Sequence, residues 1–220
     1  MSSLLWIDDG ILQRVVLNML ERAQKASDNA PKNIKKNVID PFSSLILAAA
    51  TGISEEGDLT SVQQVNSASS GISNAIGNFH QQILGSVRGF NNHDSGYDLE
   101  CAERRILAEV KNKHNTMNGP NREKVVSDLD TAVKQKAGNW IGYLVIIIPA
   151  KPVRYKKRLT RREVYEIDGA SFYELATGHA HALHDLYYAV EDIAAERYPE
   201  LRSRAILHYC NMALRDAIPE

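Results

Sequence analysis

The chain has 220 residues, of which 44% are hydrophobic and 24% are charged, a composition typical of a globular protein with one hydrophobic core. Its formal net charge of −1 excludes a globally basic protein, so an anionic partner would have to be held by locally clustered cations. The two cysteines are too few for a disulfide framework, and no apolar run reaches the roughly 18 residues that a membrane-spanning helix needs. We therefore expect one domain over residues 1–220 and no membrane partner.

The amino-terminal residues carry the acidic pair Asp8-Asp9 and no basic stretch followed by an apolar one. A secretory signal or a transit peptide would show a different charge pattern. We expect a cytoplasmic protein.

Helices are predicted for the first part of the chain. Apolar residues at helical spacing indicate three of them, over about 9–27, 41–51 and 72–88. A polar connector that contains Pro31 separates the first two, and Asp40-Pro41 and Gly52 provide start and stop signals for the second. Residues 55–70 have weak periodicity and form either a loop or an exposed helix.

Strands are predicted for the middle of the chain. Alternating patterns over 97–101 and 106–111 predict a β-hairpin. A helix over about 121–137 follows, and then come strands over 141–149 and 163–167 and helices over 180–198 and 201–216. This order predicts an α/β fold in which a central mixed sheet is flanked by helices, with further helices at both ends of the chain.

Three residues of the predicted hairpin are candidates for a functional site. Glu109 and Lys111 are two apart and therefore point to one face of the sheet, while Val110 points into the core. Asp98, near the end of the first strand, can meet Glu109 across the hairpin. Two carboxylates and the backbone carbonyl of Val110 make an oxygen-rich site suited to Mg²⁺.

Such a site is suited to phosphodiester hydrolysis. The metal would lower the pKa of a water and offset charge on a phosphate, while Lys111 would orient that water or help to deprotonate it. The alternative is a solvated hairpin face of mixed charge, since this spacing is common. The polar run that follows, Asn112-Lys113-His114-Asn115, favours the first interpretation because its side chains can bind phosphates.

At this point the chain resembles a known group of enzymes. Asp98 with Glu109-Val110-Lys111 resembles the signature of the PD-(D/E)XK nucleases. Longer segments are similar to type II restriction endonucleases that recognise GGNCC-type sites, namely Gly77–Ser86, Ala108–Thr116, Tyr165–Gly169 and Phe172–Gly178. The resemblance implies a homodimer that needs Mg²⁺ and cuts double-stranded DNA at a short palindrome. It also implies a cognate DNA methyltransferase in the same system.

The chain departs from the signature in two places. Tyr97 stands where the signature has proline, which leaves Asp94 as a rival to Asp98 for the first acid. Some relatives carry a glutamate on the preceding helix, but residues 71–90 contain none. Gln81 or Gln82 could take that place, and Glu100 could serve as an accessory acid.

A second signal is a strongly basic segment. Seven cations occur within twelve residues, namely Lys151, Arg154, Lys156, Lys157, Arg158, Arg161 and Arg162. Cations at this density are suited to phosphates, and an arginine fork can read guanine. The alternative is a charged loop that protects a sheet edge.

Three histidines, His179, His181 and His184, form a string at the start of a predicted helix. Surface or capping histidines are commoner there than metal ligands.

The leading hypothesis from the sequence is a site-specific endonuclease, with a repair nuclease of the same core and a non-catalytic DNA-binding protein as alternatives.

Overall fold

The computed structural model describes residues 4–36, 40–94, 96–160 and 162–220 of the chain. These residues group into two compact units. The larger unit comprises the segment up to Leu17 together with Gly77–Glu220, and the smaller unit is Asn18–Ile76. A single domain over residues 1–220 remains a prediction.

Three helices make up the first part of the chain, namely α1 Asp9–Lys36, α2 Pro41–Thr51 and α3 Glu56–Gly85. The prediction that the first helix ends near residue 27 was wrong, because α1 continues through Pro31. A proline inside a helix costs about 3 kcal/mol, since it removes a backbone hydrogen bond. The neighbouring Ala30 is buried, and its packing offsets part of that cost.

Residues 56–70 are helical, and α3 joins them to the helix predicted from residue 72. A Cβ atom on Gly71 would lie 2.5 Å from the Cβ of Ala26 in α1. Only glycine therefore allows the two helices to approach each other this closely.

Helix α2 has the ends that the sequence predicts. The carboxylate of Asp40 accepts a hydrogen bond from the backbone N–H of Phe42 at 2.9 Å, and Gly52 ends the helix with a φ of 69°.

The larger unit contains a six-stranded sheet. Its strands are β1 Asn91–Asn92, β2 Leu99–Cys101, β3 Ile106–Lys113, β4 Ile141–Ile148, β5 Lys156–Arg158 and β6 Val164–Asp168. They lie in the order β1-β2-β3-β4-β6-β5. The pairings β3–β4 and β4–β6 are parallel and the others are antiparallel. The predicted α/β fold with a central mixed sheet is confirmed, although β1 and β5 were not predicted.

Helix α4, Gly119–Gln135, covers one face of the sheet, which we call the α4 face. The helix begins where the side chain of Asn118 accepts a hydrogen bond from the N–H of Asn121 at 2.9 Å. Its buried side chains pack against strand residues in one cluster, which includes Leu107, Leu129, Val133, Leu144, Ile146 and Val164. Leu107 of β3 belongs to this cluster, and Glu109 and Lys111 lie on the same face, because every second residue of a strand points to the same side.

Helix α5, Gly169–Thr177, packs on the opposite face, where the rings of Phe172 and Tyr143 lie 5.7 Å apart. It begins at the buried Asp168, whose carboxylate accepts hydrogen bonds from the backbone N–H groups of Ser171 at 2.9 Å and Tyr155 at 2.7 Å. The second bond ties the segment before β5 to the end of β6.

The remaining helices are α6 Ala182–Arg197 and α7 Arg204–Ala217, joined by a short 3-10 helix, Pro199–Arg202. Both confirm the helices predicted for the last part of the chain, whereas α5 was not predicted. None of the helices described has the length and apolar character needed to cross a membrane.

Candidate active site

Asp98 lies immediately before β2 and contacts the backbone of β3 beside Glu109. Strand β2 begins at the next residue, Leu99, which pairs with Ala108 of β3. The backbone N–H of Asp98 donates to the carbonyl of Ala108 at 2.9 Å, and its carboxylate accepts the N–H of Val110 at 2.7 Å. The carboxylate of Asp98 is therefore held against the strand that carries Glu109.

Glu109 and Lys111 form an ion pair on the α4 face. The Nζ atom of Lys111 lies 2.6 Å from Oε1 of Glu109, and their side chains are 26% and 16% exposed. Val110 between them is buried. The alternation predicted from the sequence is thereby confirmed, and both polar side chains remain within reach of solvent.

Burial raises the pKa of both carboxylates. For Asp98, desolvation outweighs the opposing effects of the hydrogen bond from Val110 and the charge of Lys111. For Glu109, burial is again the largest cause, and the charge of Asp98 adds to it. Two partly desolvated carboxylates that repel each other favour a cation, because a cation would relieve both effects.

A cleft of about 410 Å³ lies over Asp98 and Glu109. Helix α4 contributes three polar residues to its lining, Asn121, Lys124 and Asp128, and the charge of Asp128 helps to raise the pKa of Glu109. Sequence reasoning missed all three. Their spacing of three and four residues along a helix, which places them on one side, was the signal available.

Asp94 lines the same cleft from an exposed loop. The rival first acid is therefore close to the site, but Asp98 has hydrogen bonds to Ala108 and Val110 of β3, the two neighbours of Glu109. We retain Asp98 as the first acid of the proposed site.

Helix α3 brings Gln81 to the site. The side chain of Gln81 hydrogen-bonds the carboxylate of Asp98, whereas the amide of Gln82 donates to Asn78 at 2.7 Å. Because the amide nitrogen donates to the carboxylate, Gln81 orients Asp98 and adds no negative charge.

Glu100 is engaged elsewhere. Its carboxylate accepts hydrogen bonds from Lys136 at 2.8 and 2.9 Å and from the hydroxyl of Tyr97 at 2.5 Å. Lys136 also lies 4.8 Å from the ring centroid of Trp140. These contacts join β2 to the end of α4, and Glu100 is not among the residues that line the cleft.

Within the basic segment Lys151–Arg162, the guanidinium of Arg154 is occupied by the protein itself. Its Nε and Nη2 atoms donate to the carbonyls of Glu220 and Ala180, each at 2.6 Å, and Nη1 donates to Glu174 at 2.5 Å. These contacts give Arg154 a structural role that its charge alone did not indicate.

Two further cations of this segment contact protein groups on the face opposite α4. The Nζ atom of Lys156 donates to the hydroxyl of Tyr143 at 2.9 Å and lies 4.2 Å from the ring centroid of Tyr165. Arg158 forms an ion pair with Glu163 at 2.5 Å, and it pairs in register with Tyr165.

Lys157 lies on the α4 face instead. It pairs in register with Glu166, which pairs with Leu144, which in turn pairs with Glu109. Residues in one such row share a face of the sheet. Lys157 is exposed, so its ammonium is accessible on the face that carries the candidate site.

The other cations of the segment differ in their surroundings. Lys151 is exposed and borders a cleft near the carboxyl ends of β3 and β4. Arg162 forms an ion pair with Asp130 of α4. Arg161 lies outside the described residues.

The polar run after Lys111 leaves the sheet at the end of β3. Asn112 is half-buried, while Lys113, His114 and Asn115 are exposed. The backbone N–H of His114 donates to the carbonyl of Ile148 at 3.0 Å, which places the run beside the end of β4.

The three histidines lie around the start of α6, where His181 is the residue before the first turn. Burial, together with the neighbouring His181, lowers the pKa of His184. Within the described parts of the chain, no group of three or more His, Cys, Asp or Glu side chains is arranged to hold a metal. A metal at the candidate site would therefore need a ligand besides its two carboxylates.

Comparisons with known proteins identify the family of the chain. A family model described as Eco47II restriction endonuclease matches residues 4–196. The chain is 38% identical over 218 residues to the type II restriction enzyme Eco47II of Escherichia coli, and the match covers 90% of each chain. It is 28% identical over 172 residues to the type II restriction enzyme Sau96I of Staphylococcus aureus, which covers 70% of this chain and 65% of that one. The resemblance to type II restriction endonucleases is confirmed, and the chain belongs to the Eco47II restriction endonuclease family.

Proposed function

We propose that the chain is a type II restriction endonuclease that uses Mg²⁺ to hydrolyse double-stranded DNA at a short palindromic site of the GGNCC or GGWCC kind. The observation that supports the site assignment is that Asp98 hydrogen-bonds the backbone of Ala108 and of Val110, the two residues that flank Glu109, while Lys111 lies 2.6 Å from Glu109. The family model and the two relatives support the reaction class.

The residues of the cleft fit a magnesium ion. Asp98 and Glu109 would supply carboxylate oxygens and Val110 a backbone carbonyl, which are the hard oxygen ligands that Mg²⁺ prefers. Burial is the largest cause of the raised pKa of both carboxylates, and a bound cation would favour their ionised forms. When bound, magnesium would offset the charge that develops on the scissile phosphate.

Lys111 is suited to orient the attacking water. Its ammonium is held by Glu109, and because an ammonium has more than one N–H donor, it can hold a water at the same time. Gln81 keeps the carboxylate of Asp98 in place through its hydrogen bond. Substitution of Lys111 should therefore affect catalysis more than metal binding.

We propose that DNA lies along the α4 face near the carboxyl ends of β3 and β4. Its phosphates would contact the exposed Lys113, His114, Asn115, Lys151 and Lys157, with Asn112 beside them. Arg154, Lys156 and Arg158 would have to exchange a partner within the protein for a phosphate, so we expect smaller contributions from these three.

We propose a homodimer, because a palindromic site has two-fold symmetry and each strand needs one active site. The smaller unit leaves Phe42, Leu45 and Ile46 of α2 77%, 67% and 65% exposed, which is consistent with a surface covered by a second copy. Light scattering should give about twice the chain mass of 24.5 kDa, and a monomer on specific DNA would contradict the dimer.

The protein would act in the cytoplasm beside a DNA methyltransferase of the same specificity. Methylation by such an enzyme would protect host DNA, and a physical complex between the two proteins is not required.

The test is digestion of a plasmid of known sequence with Mg²⁺, followed by mapping of the ends. We expect discrete fragments whose ends share one palindrome, and no cleavage in EDTA. Cleavage without a common sequence would indicate a structure-specific nuclease instead. Intact plasmid at every divalent metal tested would overturn the proposal.

A further inference from the structure

We propose that Arg122 of α4, held by Glu166 of β6, reads a guanine of the recognition site in the major groove. This inference rests on the proposed function, and it names a residue that would give that function its specificity.

The guanidinium of Arg122 is oriented by the protein. Its Nη2 atom donates to Oε2 of Glu166 at 2.6 Å, and the two side chains are 39% and 17% exposed. The hydroxyl of Tyr155 also hydrogen-bonds this carboxylate. Glu166 is therefore a fixed acceptor behind a partly accessible arginine, which reduces the conformational entropy that Arg122 would lose on binding.

Arg122 borders a cleft of about 440 Å³ at the carboxyl ends of the parallel strands. Its lining includes His114, Lys151 and Tyr155, and Ile146 contributes an apolar surface. Two residues of this cleft, His114 and Lys151, are also among the proposed phosphate contacts. The cleft therefore lies where the proposed path of the DNA backbone passes.

The distance from the candidate active site suits a base edge. Glu166 lies in the same row of the sheet as Glu109, two strands away. At about 4.8 Å per strand this separation is about 10 Å. The major groove of B-DNA is about 8.5 Å deep, so a group at this distance from a scissile phosphate can reach the edge of a base.

The chemistry of Arg122 suits guanine. An arginine fork matches the O6 and N7 acceptors of guanine, and this pairing is the commonest specific contact to a base. Glu166 takes one donor of the guanidinium, and no other side-chain hydrogen bond of Arg122 occurs within the described residues. By contrast, Arg154 uses all three of its nitrogens inside the protein.

The alternative is that the ion pair of Arg122 with Glu166 only joins α4 to β6 and does not contact DNA. A structural pair would stabilise the fold and would not distinguish one DNA sequence from another. The proposal predicts a loss of affinity that is confined to the recognition site.

The first test measures the binding of Arg122→Ala and Arg122→Lys in Ca²⁺ to a duplex with the mapped site and to a scrambled duplex. We expect both variants to bind the mapped site about 10- to 100-fold more weakly than the parent and the scrambled duplex within about threefold of it. An equal loss on both duplexes, or no loss on either, would overturn the proposal.

The second test replaces the guanines of the site one at a time by 7-deazaguanine, which lacks the N7 acceptor. One replacement should weaken the parent by about tenfold and have no further effect on Arg122→Ala, because the contact is already absent. If each replacement weakens the parent and the variant equally, Arg122 does not read N7 and the proposal fails.

Arg162→Ala is the matched control, because Arg162 forms a similar ion pair with Asp130 and has a comparable exposure of 46%. It should leave discrimination between the duplexes unchanged. Thermal unfolding of each variant checks its folding, and if Arg122→Ala does not fold, Arg122→Lys replaces it in both the binding test and the 7-deazaguanine comparison. Failure of the parent itself to cut DNA would refute the proposed function, whereas a cutting parent with an unaffected Arg122→Ala refutes this inference alone.

Discussion

The hairpin that carries the proposed active site and the basic segment Lys151–Arg162 both concentrate charge, but the protein compensates that charge differently in the two regions. In the hairpin, Asp98 and Glu109 line one cleft, and burial raises the pKa of each carboxyl. In the basic segment, Arg154 and Arg158 are bound to acceptors of the protein itself. Burial of the carboxylates, more than the density of charge, therefore supports the hairpin as the proposed ligand site.

The two regions also differ in their effect on the stability of the fold. Desolvated like charges destabilise the folded state, so the hairpin retains its carboxylates at a cost that a metal would offset. The ion pairs of the basic segment act in the opposite direction, because they join β5 and its preceding segment to the rest of the larger unit.

The largest expected effect is on catalysis, through Glu109→Gln. Loss of one metal ligand should lower the cleavage rate at least about 100-fold while binding to the mapped duplex is retained. Glu100→Gln is the control, since Glu100 is paired with Lys136 outside the cleft and should be dispensable for cleavage. Cleavage by Glu109→Gln at a rate near that of the parent would remove the functional difference between the two regions.

Lys111→Met tests the cation inside the hairpin. We expect a loss of about 100-fold in cleavage rate, because the attacking water is no longer oriented, while calorimetry with Mn²⁺ still detects metal binding. A rate within about threefold of the parent would show that Lys111 serves only to pair with Glu109.

Arg154→Ala tests the structural role of the basic segment. Removal of its contacts to α5, to Ala180 and to Glu220 should cost about 2 kcal/mol, which lowers the Tm by about 4–8 °C. The affinity for DNA should change little. An unchanged Tm together with weaker DNA binding would show instead that this arginine contacts phosphate, as its charge first suggested.

Lys157→Ala should show the reverse behaviour. Because Lys157 is exposed on the α4 face, we expect a few-fold loss of affinity on every duplex and a salt slope reduced by about one unit, without a change in Tm. Lys156→Ala is the neighbouring control, since Lys156 lies over the ring of Tyr165 on the other face. Equal salt slopes for the two variants would contradict the division of the segment between the two faces.

The smallest expected effect is on the thermal stability of the protein, when Asp98 is replaced in Asp98→Asn and no metal is present. The pKa of Asp98 is raised above its ordinary value of 3.8, so ionisation of this carboxyl destabilises the fold as the pH rises through the raised pKa. The variant should therefore unfold about 2–4 °C higher than the parent at pH 7 in EDTA. This difference should vanish near pH 3.8 and below, and a variant less stable than the parent at pH 7 would contradict the assigned cost.

The sequence by itself determined the features that depend on neighbours along the chain. Alternation in the hairpin predicts that Glu109 and Lys111 share a face and that Asp98 approaches them, because side chains on a strand alternate whatever packs around it. The ends of α2 at Asp40 and Gly52 were predictable for the same reason, since caps satisfy local backbone groups. The family was also evident from contiguous segments around these residues.

Only the tertiary structure decided which distant groups meet. Gln81 rather than Gln82 contacts Asp98, and Asp128 comes close enough to raise the pKa of Glu109, because helices α3 and α4 pack beside the hairpin. Arg122 and Glu166 are 44 residues apart in the sequence. Their ion pair exists because α4 packs on the face of the sheet that carries the side chain of Glu166. The partners of a charge depend on packing, whereas its spacing along a strand depends only on the backbone.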